Sequence, residues 1–250
     1  MSKGDLNELA LFAGGGGGLI GTKLLGWRTV CYVERDPYTV EILKARIRDG
    51  YLDDAPIWDD VCTFDGKPWV GSVDIVSAGF PCPPFSEAGH MLGEKDPRNL
   101  WPETCRVIGE VRPSFVLLEN VSRLIHFAYF GEIIASLSKM GYRYRWGTFQ
   151  GENVGSPQHR ERVFLVANTN SYGLEANAYD PKYAAQPQIQ TRSAWWQRQL
   201  SYANDGTLWR IPNFEFFGMV DGYPNWMDRI RTIGNMQIPA VVRAAWDALS

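Results

Sequence analysis

The chain has 250 residues, 45% apolar and 21% charged, enough to bury a core and to exclude wholesale disorder. No run reaches the roughly 20 apolar residues of a membrane-spanning helix, MSKGDLNELA lacks a secretory apolar segment, and Cys31, Cys62, Cys82 and Cys105 form no CxxC pair; a cytoplasmic protein without membrane, disulfide framework or metal cluster is expected. A net charge of −3 speaks against binding nucleic acid by bulk charge, yet residues 1–120 carry 12 Lys and Arg against 18 Asp and Glu, whereas 182–243 carry 7 against 4, which suits a polyanion gripped from one side.

In chain order, Glu8 to Phe12 reads as a strand running into LFAGGGGGLIG, Leu11 to Gly21, and then LIGTKLLGW at helical spacing. A flexible tether would lie between polar stretches. Strand, glycine turn and helix is instead the arrangement that lets backbone approach a nucleotide, with free N–H groups at the helix start facing an anionic group. The strand Thr29 to Val33 ends at Glu34, about 20 residues on, where ribose hydroxyls need an acceptor. These two signals fit a dinucleotide and S-adenosylmethionine equally, since both carry an adenosine.

Asp36 caps the next helix, with Pro37 at its first position and Val40, Leu43 and Ile47 at helical spacing. Val73 to Ala78, Phe115 to Leu118 and Val163 to Ala167 are further strands, and Trp101 to Val111 and about Gly131 to Met140 further helices. Alternating strands and helices predict a parallel sheet flanked by helices. From about 168 to 228 the texture changes to Asn, Tyr, Gln, Pro and Trp without periodicity, a small loop-rich region with a short helix in QPQIQTRSAWWQRQL. QIPAVVRAAWDAL then resumes helical spacing and is expected to pack back on the sheet.

The remaining candidates sit at strand ends. SAGFPCPPFS, Ser77 to Ser86, holds Cys82 directly after a strand in a turn stiffened by Pro81, Pro83 and Pro84, at the ligand-facing edge of an open α/β sheet. FVLLENV ends another strand with Glu119 and Asn120. SPQHRER brings Gln158, Arg160 and Arg162 to alternate positions, so an extended segment points all three to one face.

Taken together and in this order, LFAGGGGG, Glu34, SAGFPCPPFS, LLENV, PQHRER and GNMQIPAVV resemble the C5-cytosine DNA methyltransferases, especially the compact phage-encoded ones, over nearly the whole chain except about 168–228. The resemblance implies a Rossmann-like methyltransferase sheet with helices on both faces, formed by 1–167 and completed by 229–250, with 168–228 as a small target-recognition region. It also implies S-adenosylmethionine as methyl donor, S-adenosylhomocysteine as product, double-stranded DNA as partner and a monomer in bacterial or phage-infected cytoplasm. RNA cytosine as substrate, and an inactive DNA-binding relative, are the alternatives.

Residue by residue, the resemblance makes Cys82 the nucleophile toward C6 of cytosine and Glu119 the group at N3, while Arg162 and Arg160 hold the ring carbonyl and nearby backbone. Phe12, Gly14, Gly16, Gly17, Glu34, Asp60, Pro81, Leu100 and Asn235 form the cofactor pocket, with Asp59 as rival to Asp60. Ser86, Gln158, Arg192 and Arg198 would contact DNA, and no metal is implied. Pro83 to Asn99 would close over DNA, Gly89 and Gly93 allowing the swing. Gly15 and Gly18 stand where other residues are tolerated. Three departures stand out: Pro83 where Gln is common, Ala10 where an acid often opens the first strand's LF, and a short recognition region.

Overall fold

The computed structural model describes residues 5–81, 99–156, 160–169, 228, 232 and 234–250. Its strands are β1 (Asn7–Leu11), β2 (Arg28–Val33), β3 (Ile57–Trp58), β4 (Ile75–Ala78), β5 (Phe115–Val121), β6 (Arg143–Gln150) and β7 (Glu161–Asn168). Its helices are α1 (Gly17–Lys23), α2 (Pro37–Arg48), α3 (Trp101–Val111), α4 (Ala128–Lys139) and α5 (Pro239–Leu249). The seven strands form one sheet in the order β3-β2-β1-β4-β5-β7-β6. The chain works outward from β1 through β2 to β3, then returns to place β4 on the other side of β1. The gap between the carboxyl ends of β1 and β4 is thus the topological switch point, where open α/β sheets bind ligands.

Strands β1 to β5 run parallel, but β7 is antiparallel to both β5 and β6. This corrects the all-parallel expectation at one edge. Only 151–160 join β6 to β7, too short for the crossover a parallel pair needs, so the chain turns straight back. Strand β6 also escaped the reading of the sequence, although RYRWGTFQ carries its signal: Tyr144 and Trp146 pack toward one side of the sheet and Phe149 toward the other. Two-residue β3 is too short to carry a period.

Alternating strand residues feed two cores. Leu9, Leu11, Val76, Ala78, Val116 and Leu118 pack against Val107 and Ile108 of α3 and Ile133 and Leu137 of α4. On the opposite face Ala10 and Tyr32 meet Leu19 of α1 and Leu43 of α2, while Ile75 and Leu117 meet Val241 and Val242 of α5. Each fully buried Val, Leu or Ile among them contributes about 1.5–3 kcal/mol. The capping expected at Asp36 is present, its carboxylate accepting from Tyr38 N at 3.2 Å and Thr39 Oγ1 at 3.1 Å. Glu8 lies wholly inside the second face and accepts hydroxyls of Ser77 at 2.5 Å, Thr22 at 2.7 Å and Thr29 at 3.2 Å, tying β1 to β4, α1 and β2; burial pushes its pKa up.

Candidate active site

The glycine turn follows β1 directly. Phe12 has φ 54°, a left-handed conformation that costs a non-glycine residue roughly 1 kcal/mol or more and is held only where its surroundings impose it. Gly14 and Gly16 have φ 56° and 80°, and Gly16 caps α1. Three groups brace the turn: Gly14 N–H donates to Glu34 Oε2 at 2.8 Å, Gly16 N–H to Ala13 O at 3.1 Å, and Arg46 of α2 to Gly15 O. Glu34 also accepts from Asp36 N at 2.9 Å through Oε1. Each carboxylate oxygen thereby keeps a second lone pair.

A Cβ on Gly17 would stand 2.5 Å from the Gln237 carbonyl oxygen, and one on Gly16 2.8 Å from Leu52 Cδ1. At Gly15 it would meet only side-chain atoms, Met236 Sδ at 3.0 Å and Thr232 Cγ2 at 3.1 Å. At Gly18 a Cβ would lie 2.5 Å from Gln237 Oε1, so the end of that side chain would have to move.

Beyond β3 the chain turns through 59–66. Asp60 is half-buried and accepts Cys62 N–H at 2.9 Å, a bond that holds its carboxyl below the usual range, with the Arg35 guanidinium nearby assisting; its rival Asp59 is exposed. This turn is clamped from α3 by one side chain. Arg106 donates to Val61 O at 2.8 Å and Phe64 O at 2.9 Å, and to Glu103 at 2.7 Å and Glu110 at 2.9 Å, while Glu110 accepts Gly66 N–H at 2.9 Å. Arg106→Ala is expected to cost about 1–2 kcal/mol after allowance for its partial exposure. That is a fall of about 2–8 °C in the thermal midpoint, and Arg106→Lys, unable to span four acceptors, should restore only part of it.

On the other side of the switch point stands the end of β5. Glu119 is 8% exposed, with Oε1 3.2 Å from Arg162 Nε and Oε2 3.4 Å from Gln237 Nε2. The Arg162 approach lacks hydrogen-bond alignment, so Oε1 retains its accepting capacity. Burial raises the pKa of Glu119 against the downward pull of Arg162, Arg160 and the Gln237 amide. Arg160 donates to Gly234 O through Nη1, while its buried Nε has no hydrogen-bond partner among the described residues. A buried unpaired donor is unusual and is explained where a ligand supplies the acceptor. Asn120 donates to Phe80 O at 2.9 Å, fastening β5 to the stem of the turn that leads through Pro81 to Cys82.

These groups surround one cleft of about 740 Å³, lined by Phe12, Gly14, Gly15 and Glu34 on one side and by Phe80, Pro81, Glu119, Arg160, Arg162 and Asn235 on the other. Of the residues expected in the site, Phe12, Gly14, Glu34, Pro81, Glu119, Arg160, Arg162 and Asn235 are thus brought together. Gly16 and Gly17 shape the turn beneath. Asp60 lies past the end of β3, and half-buried Leu100 caps α3; neither is among the residues lining the cleft. Cys82, Ser86, Gln158, Arg192 and Arg198 lie outside the described residues, as do nearly all of Pro83–Asn99 and of 168–228.

Residues 6–213 match the family model of C-5 cytosine-specific DNA methylases. The chain belongs to the C5-cytosine DNA methyltransferase family. Among curated members, the type II methyltransferase M.NgoMIV of Neisseria gonorrhoeae is 35% identical over 186 residues, 71% of this chain and 58% of that protein. M.AquIA of Picosynechococcus is 31% identical over 175 residues, 64% of this chain and 71% of that protein. The chain spans about half the length of M.NgoMIV and of type II methyltransferases such as M.CviJI and M.NaeI. In fold it resembles the S. pombe Dnmt2 methyltransferase, with TM-score 0.58 and 23% identity over 75% of this chain and 57% of the other. The Spodoptera frugiperda DNMT2 has TM-score 0.58 and 21% identity over 70% and 54%. The family's methyl donor is S-adenosylmethionine. Among the described residues no group of three or more His, Cys, Asp and Glu is placed to hold a metal, and no helix is long and apolar enough to cross a membrane.

Four residues that hold or border the candidate site were not singled out from sequence. Arg46, Arg106, Met236 and Gln237 act across long chain separations, and only for the last two, inside GNMQIPAVV, was there a local signal.

Proposed function

We propose that this protein transfers a methyl group from S-adenosylmethionine to C5 of a flipped cytosine in double-stranded DNA, through a covalent bond between Cys82 and C6. The observation that carries the proposal is the buried Glu119 carboxyl beside Arg162 and Arg160, in one cleft with the glycine turn and the stem of the FPC turn. Residues 168–228 would recognise the target, with Arg192 and Arg198 on phosphates, Ser86 and Gln158 near the flipped base, and the protein acting as a monomer in the cytoplasm where the DNA lies.

The cofactor fits the residues present. Gly14 and Gly15 of the turn line the cleft with Glu34, which keeps a lone pair on each oxygen. Phe12, Gly14, Gly16, Gly17, Glu34, Asp60, Pro81, Leu100 and Asn235 would hold it, Glu34 accepting ribose hydroxyls and Asp60 the adenine amino group. When bound, S-adenosylmethionine supplies the electrophilic methyl group.

Cytosine C5 is a poor nucleophile until C6 is saturated, and this chain's groups perform that activation. The Cys82 thiolate adds to C6, with Arg160 and Arg162 as the cationic neighbours that favour the charged thiol. Electron density displaced by that bond moves toward N3, where Glu119 presents its proton; its raised pKa keeps that proton available. Arg160 Nε offers a donor for the ring carbonyl. After C5 carries the methyl, its proton leaves to a base, the C6–S bond breaks and Cys82 is regenerated. Flipping the base requires roughly a few kcal/mol of unstacking.

Purified protein incubated with tritiated S-adenosylmethionine and unmethylated duplex DNA should label the DNA at C5 of cytosine. Cys82→Ala should reduce that labelling to background. Label in RNA and none in DNA would shift the substrate to RNA, and transfer surviving in Cys82→Ala would overturn the covalent route.

A further inference from the structure

The amide of Gln237 stands between the glycine turn and Glu119. Its Nε2 is 3.4 Å from Glu119 Oε2, and the same nitrogen would lie 2.9 Å from a Cβ on Gly79. Its Oε1 would lie 2.5 Å from a Cβ on Gly18, and its backbone oxygen 2.5 Å from one on Gly17. The side chain therefore reaches from the first turn of α1 to Glu119 through space that exists because residues 18 and 79 have no side chain. The two oxygens of Glu119 are consequently unlike. Oε1 faces the Arg162 guanidinium, which carries only donors, so a carboxylic proton there would oppose a cation. Oε2 faces an amide, which donates through nitrogen to a carboxylate and accepts through oxygen from a carboxylic acid after a half-turn.

We propose that Gln237 is a positioning residue for Glu119, its amide holding Oε2 and so orienting the carboxyl in the cleft and shifting the pH at which its proton is lost. This rests on Glu119 being the group that serves cytosine N3. The amide donates to the charged carboxylate and so opposes the upward push of burial. Other charged groups around Glu119 are Arg162 and Arg160 by β7, Glu8 of β1 across the small cavity beneath the glycine turn, and Glu34 and Arg123 along the cleft. None of these reaches Oε2 by a hydrogen bond among the described residues. Gly18, read as tolerant from sequence, thereby acquires a reason: a methyl there displaces the amide and not the cofactor.

The experiment follows the Glu119 carboxyl carbon by NMR in the whole protein without DNA, its signal assigned with Glu119→Gln, across pH in wild type, Gln237→Met and Gly18→Ala. Met keeps the length and volume of Gln without the amide. Both variants should raise the Glu119 titration midpoint, and Gly18→Ala should add nothing in the Gln237→Met background. The alkaline limb of the methyl-transfer pH profile should move the same way. In Gln237→Met, kcat should fall about tenfold, with KM for DNA within about twofold of wild type. An unmoved midpoint overturns the proposal even if activity falls, because lost packing alone would do that. A raised midpoint with wild-type transfer in Glu119→Gln overturns the assignment of Glu119, and with it the catalytic meaning of the contact.

Discussion

Glu119→Gln is expected to lower the rate of methyl transfer by about 10²–10⁴-fold, the usual contribution of a positioned acid or base, while making the folded protein relatively more stable as pH rises. Gln keeps the shape and can still donate a hydrogen bond, but it has no proton to release. The stability effect follows from burial, which raises the carboxyl's pKa in the folded state despite Arg162 and Arg160. When the folded pKa exceeds the unfolded one, the folded protein holds the proton more tightly. The stabilisation is fully present below the ordinary carboxylate pKa and is lost as pH rises through the folded value. Gln does not titrate, so the midpoint difference, variant minus wild type, should grow as pH rises above the ordinary carboxylate range and through the raised folded value. Thermal unfolding at several pH values and single-turnover transfer check the two halves separately. A difference independent of pH would mean that Glu119 is not held protonated by burial.

Gly17→Ala should be the most damaging change in the glycine run. A Cβ at Gly17 would stand 2.5 Å from the Gln237 carbonyl oxygen and 2.8 Å from Met236 Cγ, and the first of these is backbone that cannot rotate aside. Overpacking of this kind costs about 1–3 kcal/mol, or about 2–12 °C in the thermal midpoint of a chain this long. Moving 236–237 also shifts Asn235 and the amide that faces Glu119. Calorimetric titration should therefore show S-adenosylmethionine affinity reduced at least tenfold, about 1.4 kcal/mol. Gly16→Ala should come next, because φ 80° is unfavourable for any side chain and Leu52 is in the way. Gly15→Ala should be mildest, since only the ends of Met236 and Thr232 need move. Wild-type affinity and midpoint in Gly17→Ala would remove the turn from the cofactor site.

The parts that were legible in the sequence share one property: their signal is local. The cap at Asp36, the span of α3 and the positions of β1, β2 and β5 follow from spacing, Pro and Gly within one element. The ordered set of short motifs likewise identified the family before any geometry. What was missed is set by neighbours far along the chain. Strand β6 carries an alternating signal of its own, but the direction of β7 has none: β7 runs antiparallel because the link between them is short. Gly15 and Gly18 looked equivalent as bystanders, yet one faces adjustable side-chain ends and the other an amide engaged with Glu119.

The sequence by itself determined the alternation of strands and helices, the glycine turn after β1, and the residue types that cytosine chemistry requires, because propensity, periodicity and side-chain chemistry act within a few residues. Only the tertiary structure decided how those residues are held: Arg46 on the glycine turn, Arg106 on the turn that carries Asp60, Asn120 on the stem before Cys82, and Gln237 against Glu119. These contacts join positions 31 to 118 residues apart. Their geometry depends on strand order and helix packing, which no local pattern encodes.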